Sequence, residues 1–179
     1  MNKFSLLSFL RLLCLSMAMF TCTSQAATTE SAVKAGFIYN FTKFIQWPAS
    51  TSMYATFNLC VVGDNRLEDA LQALEGKMVG KKPIKLHLNL SVEKLNVCQM
   101  VFVAEDDTGA ISALLKKADS MPIVAVSDSP DFISRGGMIG LVRDGTRLGF
   151  EVNLAPARRT GVQVSSQLLK LAKRVKGSK

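Results

Sequence analysis

The spacing of apolar residues changes period repeatedly along this chain, and each change predicts an element. From Ser31 to Trp47, Val33, Phe37, Phe41 and Phe44 recur at helical spacing with Ile38 and Ile45 beside them, an amphipathic helix that Pro48 stops. Such an aromatic stripe reads as a core face laid on a sheet. Phe57 to Val62 is a short run, apolar except for Asn58, the signature of a buried strand. Asp64 or Asn65 can cap a helix from Arg66 to Glu75, with Leu67, Ala70, Leu71 and Leu74 on one face and Gly76 after it. Ile84 to Leu90 alternates strictly, which predicts a half-exposed strand near an edge. Met100 to Ala104 reads as a second buried strand. It leads through Glu105-Asp-Asp-Thr108 into a helix with Ile111, Leu114 and Leu115 inward. Ile123 to Val126 is a further central strand, followed by a short helix from Ser127-Asp-Ser-Pro-Asp131 to Gly136-Gly137. Met138 to Arg143 and Arg147 to Leu154 flank Asp144-Gly145, the chemistry of a two-residue hairpin turn. Pro156 opens a helical segment that Gly161 interrupts. Ser165 or Ser166 then caps a last helix carrying Leu168, Leu169, Leu171, Ala172 and Val175. Strands alternating with helices predict an α/β fold: a three-layer sandwich with a central mostly parallel sheet, a C-terminal antiparallel hairpin and helices on both faces.

The N-terminal stretch has a different logic. Lys3 and Arg11 precede the apolar run Leu12 to Phe20, and Thr23-Ser-Gln-Ala-Ala27 offers small residues for cleavage. Residues 1–26 therefore read as a secretory signal cut near Ala26 or Ala27, and 27–179 as one mature domain. The apolar run is about ten residues, well short of the 20 or so a membrane span needs. Export takes two positive charges from the formal +8, leaving +6. The remaining basic residues are scattered, apart from Lys81-Lys82, Arg158-Arg159 and the Lys170 to Lys179 tail, with no aromatics interleaved among them. That argues against nucleic acid as a partner. Cys14 and Cys22 leave with the signal, so Cys60 and Cys98 are left to pair in an oxidising compartment, closing a loop for which chain entropy gives roughly 4 kcal/mol.

Little in the chain points to catalysis. His87, the one histidine, lies on the polar side of its strand and reads as a surface residue. Asp64, Asp106 and Asp128 each follow a strand, at the rim where open α/β sheets bind ligands. Three converging carboxylates could hold Mg²⁺ or Ca²⁺, but each also begins a helix, and capping explains them one at a time. There is no G-x-G-x-x-G, phosphate loop or G-x-S-x-G elbow. The expectation is a protein that is not an enzyme, with no catalytic residues, metal or cofactor.

Tyr39-Asn-Phe-Thr-Lys-Phe44 with Trp47-Pro48, Cys60-Val-Val-Gly-Asp64, Gly136-Gly-Met-Ile139, and Phe150-Glu-Val-Asn-Leu154 stand in order. Arg158, Gly161, Ser165-Ser166 and Leu168-Leu-Lys-Leu-Ala172 follow them. Together these segments resemble the YfiR family of periplasmic regulators. The resemblance implies a non-enzymatic repressor that binds the periplasmic sensor domain of an inner-membrane diguanylate cyclase and keeps cyclic di-GMP low, restraining biofilm and adhesion. It also implies an OmpA-like outer-membrane lipoprotein that sequesters the repressor. Cys60 and Cys98 fall where the family has a structural disulfide; the second pair of some relatives is missing here. A homodimer is a further partner this reading admits. The hairpin and C-terminal segment, with Arg147, Phe150, Arg158 and Arg159, are the expected partner-binding surface. The alternative is a periplasmic small-molecule or metal-ion sensor using the rim of Asp64, Asp106 and Asp128, and a third is a metal-dependent enzyme at that rim.

Overall fold

Thr29 opens the first helix, its hydroxyl accepting from the Ala32 amide at 3.2 Å. In this computed structural model, which describes residues 29–177 apart from Ser52, 64–66, 105–107 and Thr146, helix α1 spans Glu30–Phe44. The secretory segment lies outside the described residues. The helix ends three residues before the predicted point. Pro48 biases Trp47 towards extended backbone, and Ile45–Gln46 instead form strand β1, paired antiparallel with β9 (Gln163–Val164).

The main sheet is built from β2 (Phe57–Val62), β3 (Met78–Val79), β4 (Lys82–His87), β5 (Met100–Val103), β6 (Val124–Ser127), β7 (Ile139–Asp144), β8 (Arg147–Asn153) and β10 (Arg174–Lys176). Its order is β10-β8-β7-β6-β5-β2-β4-β3. The run β4-β2-β5-β6-β7 is parallel throughout. Counted from β2, that is the doubly wound order 2-1-3-4-5. β8 turns back antiparallel on β7, as the hairpin chemistry predicts, and β10 joins it in parallel. Asp144 still pairs with Arg147, so the turn falls one residue later than Asp144-Gly145, with Gly145 at φ 59°. β4 lies near the edge, as its alternation predicts, with the two-residue β3 outside only its first residues, Lys82 and Pro83.

Buried residues alternate between the faces. Leu59, Val61, Met100, Phe102, Val124 and Val126 pack with Ile38 and Phe41 of α1, Leu71 of α2 (Glu68–Gln72) and Leu168, while Ala157 joins the same cluster. Cys60, Val62, Val101, Val103 and Ala125 point the other way, onto Ile111 and Leu114 of α3 (Thr108–Ala118) and onto Leu95 of the 3₁₀ turn Val92–Val97. This is the three-layer α/β arrangement. The C-terminal helices are α4 (Leu154–Thr160) and α5 (Ser166–Leu171), the latter capped by Ser165, whose Oγ accepts from the Leu168 amide. α5 ends at Leu171, and Val175 belongs to β10.

After β6 no helix forms. Asp131 takes the left-handed conformation at φ 62°, which a helix cannot accommodate, and the chain passes through successive turns to Gly137. Ser127 steadies the first of them, its Oγ accepting from the Ser129 amide at 3.0 Å. α2 is also shorter than the predicted Arg66 to Glu75.

Candidate functional site

The first turn of α1 lies beside the carboxyl end of β6 and the strand β7, and the seam between them is a groove of about 330 Å³. Helical spacing puts Glu30 and Lys34 one turn apart, and Lys34 Nζ donates to Glu30 Oε1 at 3.0 Å. Nζ also donates to Asp128 Oδ2 at 2.5 Å, and Arg143 of β7 donates to the other oxygen of Glu30. Two acids and two bases thus alternate along one wall, while Leu141, Leu148 and Pro130 give the groove an apolar side. Lys34 and Asp128 are the inner pair, their side chains 14% and 12% exposed. Burial alone pulls the Lys34 ammonium below its ordinary range, but the hydrogen bonds to Asp128 and Glu30 outweigh it and hold the group above. Lys34 in turn holds the Glu30 carboxyl below the usual carboxylate range.

The structure separates the residues expected to bind a partner. Arg147 is exposed at the start of β8, next to the groove residue Leu148. Arg158 and Arg159 lie on α4, beyond the far end of that seven-residue strand, roughly 20 Å away along it. Arg159 pairs with Asp119. Phe150 is 4% exposed, its ring centroid 5.0 Å from that of Phe41 and 5.8 Å from that of Phe37. It shapes the hairpin from beneath.

Of the three rim carboxylates, Asp128 is the one among the described residues, and it is engaged by Lys34; Asp64 and Asp106 lie outside them. Among the described residues no group of three or more His, Cys, Asp and Glu side chains could hold a metal ion.

At the opposite, amino end of the sheet, Cys60 on β2 and Cys98 before β5 form the expected disulfide. A buried polar network surrounds it. Gln99 Oε1 accepts from the Asn58 amide at 2.7 Å, Asn58 Nδ2 donates to the Val97 carbonyl at 2.9 Å, and Trp47 Nε1 donates to the Gln99 carbonyl at 2.8 Å. Asn58 Oδ1 also lies 3.1 Å from His87 Nε2. An amide oxygen only accepts, so Nε2 carries the proton. His87 is therefore a half-buried member of this network and not a plain surface histidine; burial, with Lys85 nearby, holds its pKa below the ordinary value.

Sequence reasoning missed Glu30, Lys34, Arg143, Asn58 and Gln99. The Glu30 and Lys34 spacing was a visible signal, but Lys34 is 94 residues from Asp128, a separation no local pattern bridges.

Among solved structures, the chain is similar to a conserved domain protein from Vibrio cholerae, with a TM-score of 0.53 and 11% identity over 83% of this chain and 60% of that one. The likeness concerns the fold, and the chain spans about 60% of that protein's length. A family model described as YfiR/HmsC-like matches residues 31–173, from the first turn of α1 to the residue before β10. That family implies a periplasmic regulator of diguanylate cyclase signalling. Among the described residues no helix is long and apolar enough to cross a membrane. Matched along both faces of its sheet, this chain belongs to the YfiR/HmsC-like family.

Proposed function

We propose that this protein is a periplasmic repressor that binds the periplasmic sensor domain of an inner-membrane diguanylate cyclase and lowers cyclic di-GMP, restraining biofilm and adhesion. An OmpA-like outer-membrane lipoprotein that sequesters it would relieve repression. The family match over residues 31–173 carries this reading. In it, residues 1–26 direct export and are removed, 27–179 are the mature domain, and the protein works by contact without catalysis.

A repressor must bind the inactive cyclase more tightly than the active one, since equal affinity shifts nothing. The hairpin end of the sheet suits that contact. Arg143 and Arg147 are exposed there beside an open groove, on a strand pair anchored by the buried Phe150. Deleting the gene is expected to raise cyclic di-GMP and surface attachment in a cyclase-dependent way. Restoring the wild-type gene reverses both, whereas Arg147→Glu, exported at equal level, does not. Unchanged cyclic di-GMP on deletion overturns the function; full complementation by Arg147→Glu overturns this surface. Arg158→Glu tests α4 in the same way.

The groove also supports a second reading, a small-molecule sensor, because its volume lies in the range of ligand sites. A thermal shift with periplasmic metabolites, abolished by Lys34→Met, would favour it.

A further inference from the structure

The sheet edge formed by β3 and β4 gathers positive charge from three parts of the chain. Tyr39 of α1 donates its hydroxyl to the Met78 carbonyl at 3.2 Å, which ties the helix to the edge strand. Over its ring lie two ammonium groups, Lys43 from α1 at 4.4 Å and Lys77 from before β3 at 5.8 Å. Lys81 in the β3–β4 turn and Lys85 on β4 extend the patch, and all four lysines are exposed. Among the described residues none of the four is in an ion pair. The nearby acid Glu75 is engaged by the Leu86 amide. Met78 stands among these cations at 50% exposure, one of the three large apolar side chains most exposed among the described residues.

Lysines on an edge strand commonly serve to block pairing with other sheets. That accounts for Lys81 and Lys85. It does not account for Lys43, which in the last turn of α1 donates to Asn40 Oδ1 at 3.0 Å, or for Lys77, and the two ammoniums held over one ring repel each other. An anion laid across both relieves that repulsion. Lysine ammoniums are compact charges without the fork that fixes one planar anion, so they suit a diffuse anionic surface. A soluble anion gains nothing from Met78, whereas the headgroup region of a bilayer accepts an apolar side chain beside the phosphates.

We propose that the β3–β4 edge, with Lys43, Lys77, Lys81, Lys85 and Met78, docks the protein on an anionic phospholipid surface. β3 and β10 are the opposite edges of an eight-stranded sheet, roughly 34 Å apart at ordinary strand spacing. Docking here leaves the hairpin end of the sheet exposed. The inference does not depend on the repressor reading.

The test is flotation of the exported protein, at low and physiological salt, with phosphatidylcholine vesicles and with vesicles one-third phosphatidylglycerol. Binding is expected to the anionic vesicles alone and to weaken with salt. Lys77→Gln/Lys81→Gln lowers affinity roughly 25-fold, about fivefold for each ammonium. Met78→Ser lowers it roughly fivefold. The matched charge control Lys94→Gln/Lys116→Gln, remote from this edge, changes little. Absence of binding to anionic vesicles overturns the proposal, and so does equal loss in the control, which would mean that net charge alone attracts. Binding to polyglutamate as tight as to vesicles, and indifferent to Met78→Ser, overturns the membrane as occupant. Because all five side chains are exposed, unchanged circular dichroism is expected in each variant.

Discussion

Reducing the Cys60–Cys98 bridge leaves every side chain in place and changes mainly the unfolded chain. The bridge closes a loop of 38 residues. Chain-entropy bookkeeping for that length gives roughly 4 kcal/mol, a large share of the 5 to 15 kcal/mol typical of a domain. For a chain of this size each kcal/mol moves the midpoint by some 2 to 4 °C, so the expected fall is about 8 to 16 °C. The sulfurs sit in the core layer with Leu95, Val101 and Ile111, and Cys60 is 0% exposed. Reductant should therefore act no faster than the domain opens. Urea unfolding of oxidised and reduced protein, followed by fluorescence of Trp47, measures the difference. The reduced form should also show a steeper dependence on urea, because its unfolded chain exposes more surface. Equal midpoints, or a loss under about 1 kcal/mol, would refute the reasoning and mean that the unfolded ensemble already keeps this loop closed.

Other expectations follow from single contacts. Lys34→Met leaves the largely buried Asp128 without this cation and should cost about 2 kcal/mol by urea denaturation, much of it recovered in Lys34→Met/Asp128→Leu; a harmless single variant would contradict that account of the groove. Gly137→Ala places a methyl 2.2 Å from the buried Phe132 ring and should destabilise by about 1 to 3 kcal/mol. In contrast, Gly36→Ala within α1, where the added methyl meets nothing within 4 Å, should stabilise by up to about 1 kcal/mol; opposite signs in thermal melts check the pair. His87 has a folded pKa below its ordinary 6.5, so the unfolded chain binds the proton more readily. Its contribution is constant above 6.5 and is lost as pH falls through the lower folded value, and His87→Gln should remove that part of the slope in urea midpoints taken at neutral and acid pH.

The architecture was legible where one face of an element dominates its sequence. Phe57 to Val62 is apolar at every position but Asn58 because β2 is covered on both sides, and the strand begins and ends where the run does. The helices ran short of expectation where another element offered a better bond, as when β9 paired with Ile45–Gln46. β1, β3, β9 and β10 are two or three residues long, below the length at which any period shows, so the edges of the sheet were not readable. Asp131 illustrates a different limit: its left-handed backbone is local, yet nothing in Ser-Pro-Asp-Phe distinguishes a turn from a first helical turn. The site was harder still. Arg147, Arg158 and Arg159 were identifiable as basic residues outside any apolar stripe, but their separation to opposite ends of β8 is a property of the fold.

The most direct test of the account is cyclase turnover itself. A membrane diguanylate cyclase from the same cell, reconstituted with its periplasmic domain facing outward, is supplied with GTP, and cyclic di-GMP is measured as purified exported protein is added outside. The account predicts saturable inhibition by the wild-type protein that weakens with Arg147→Glu. Undiminished turnover at saturating protein, for every membrane cyclase of that cell, would contradict it.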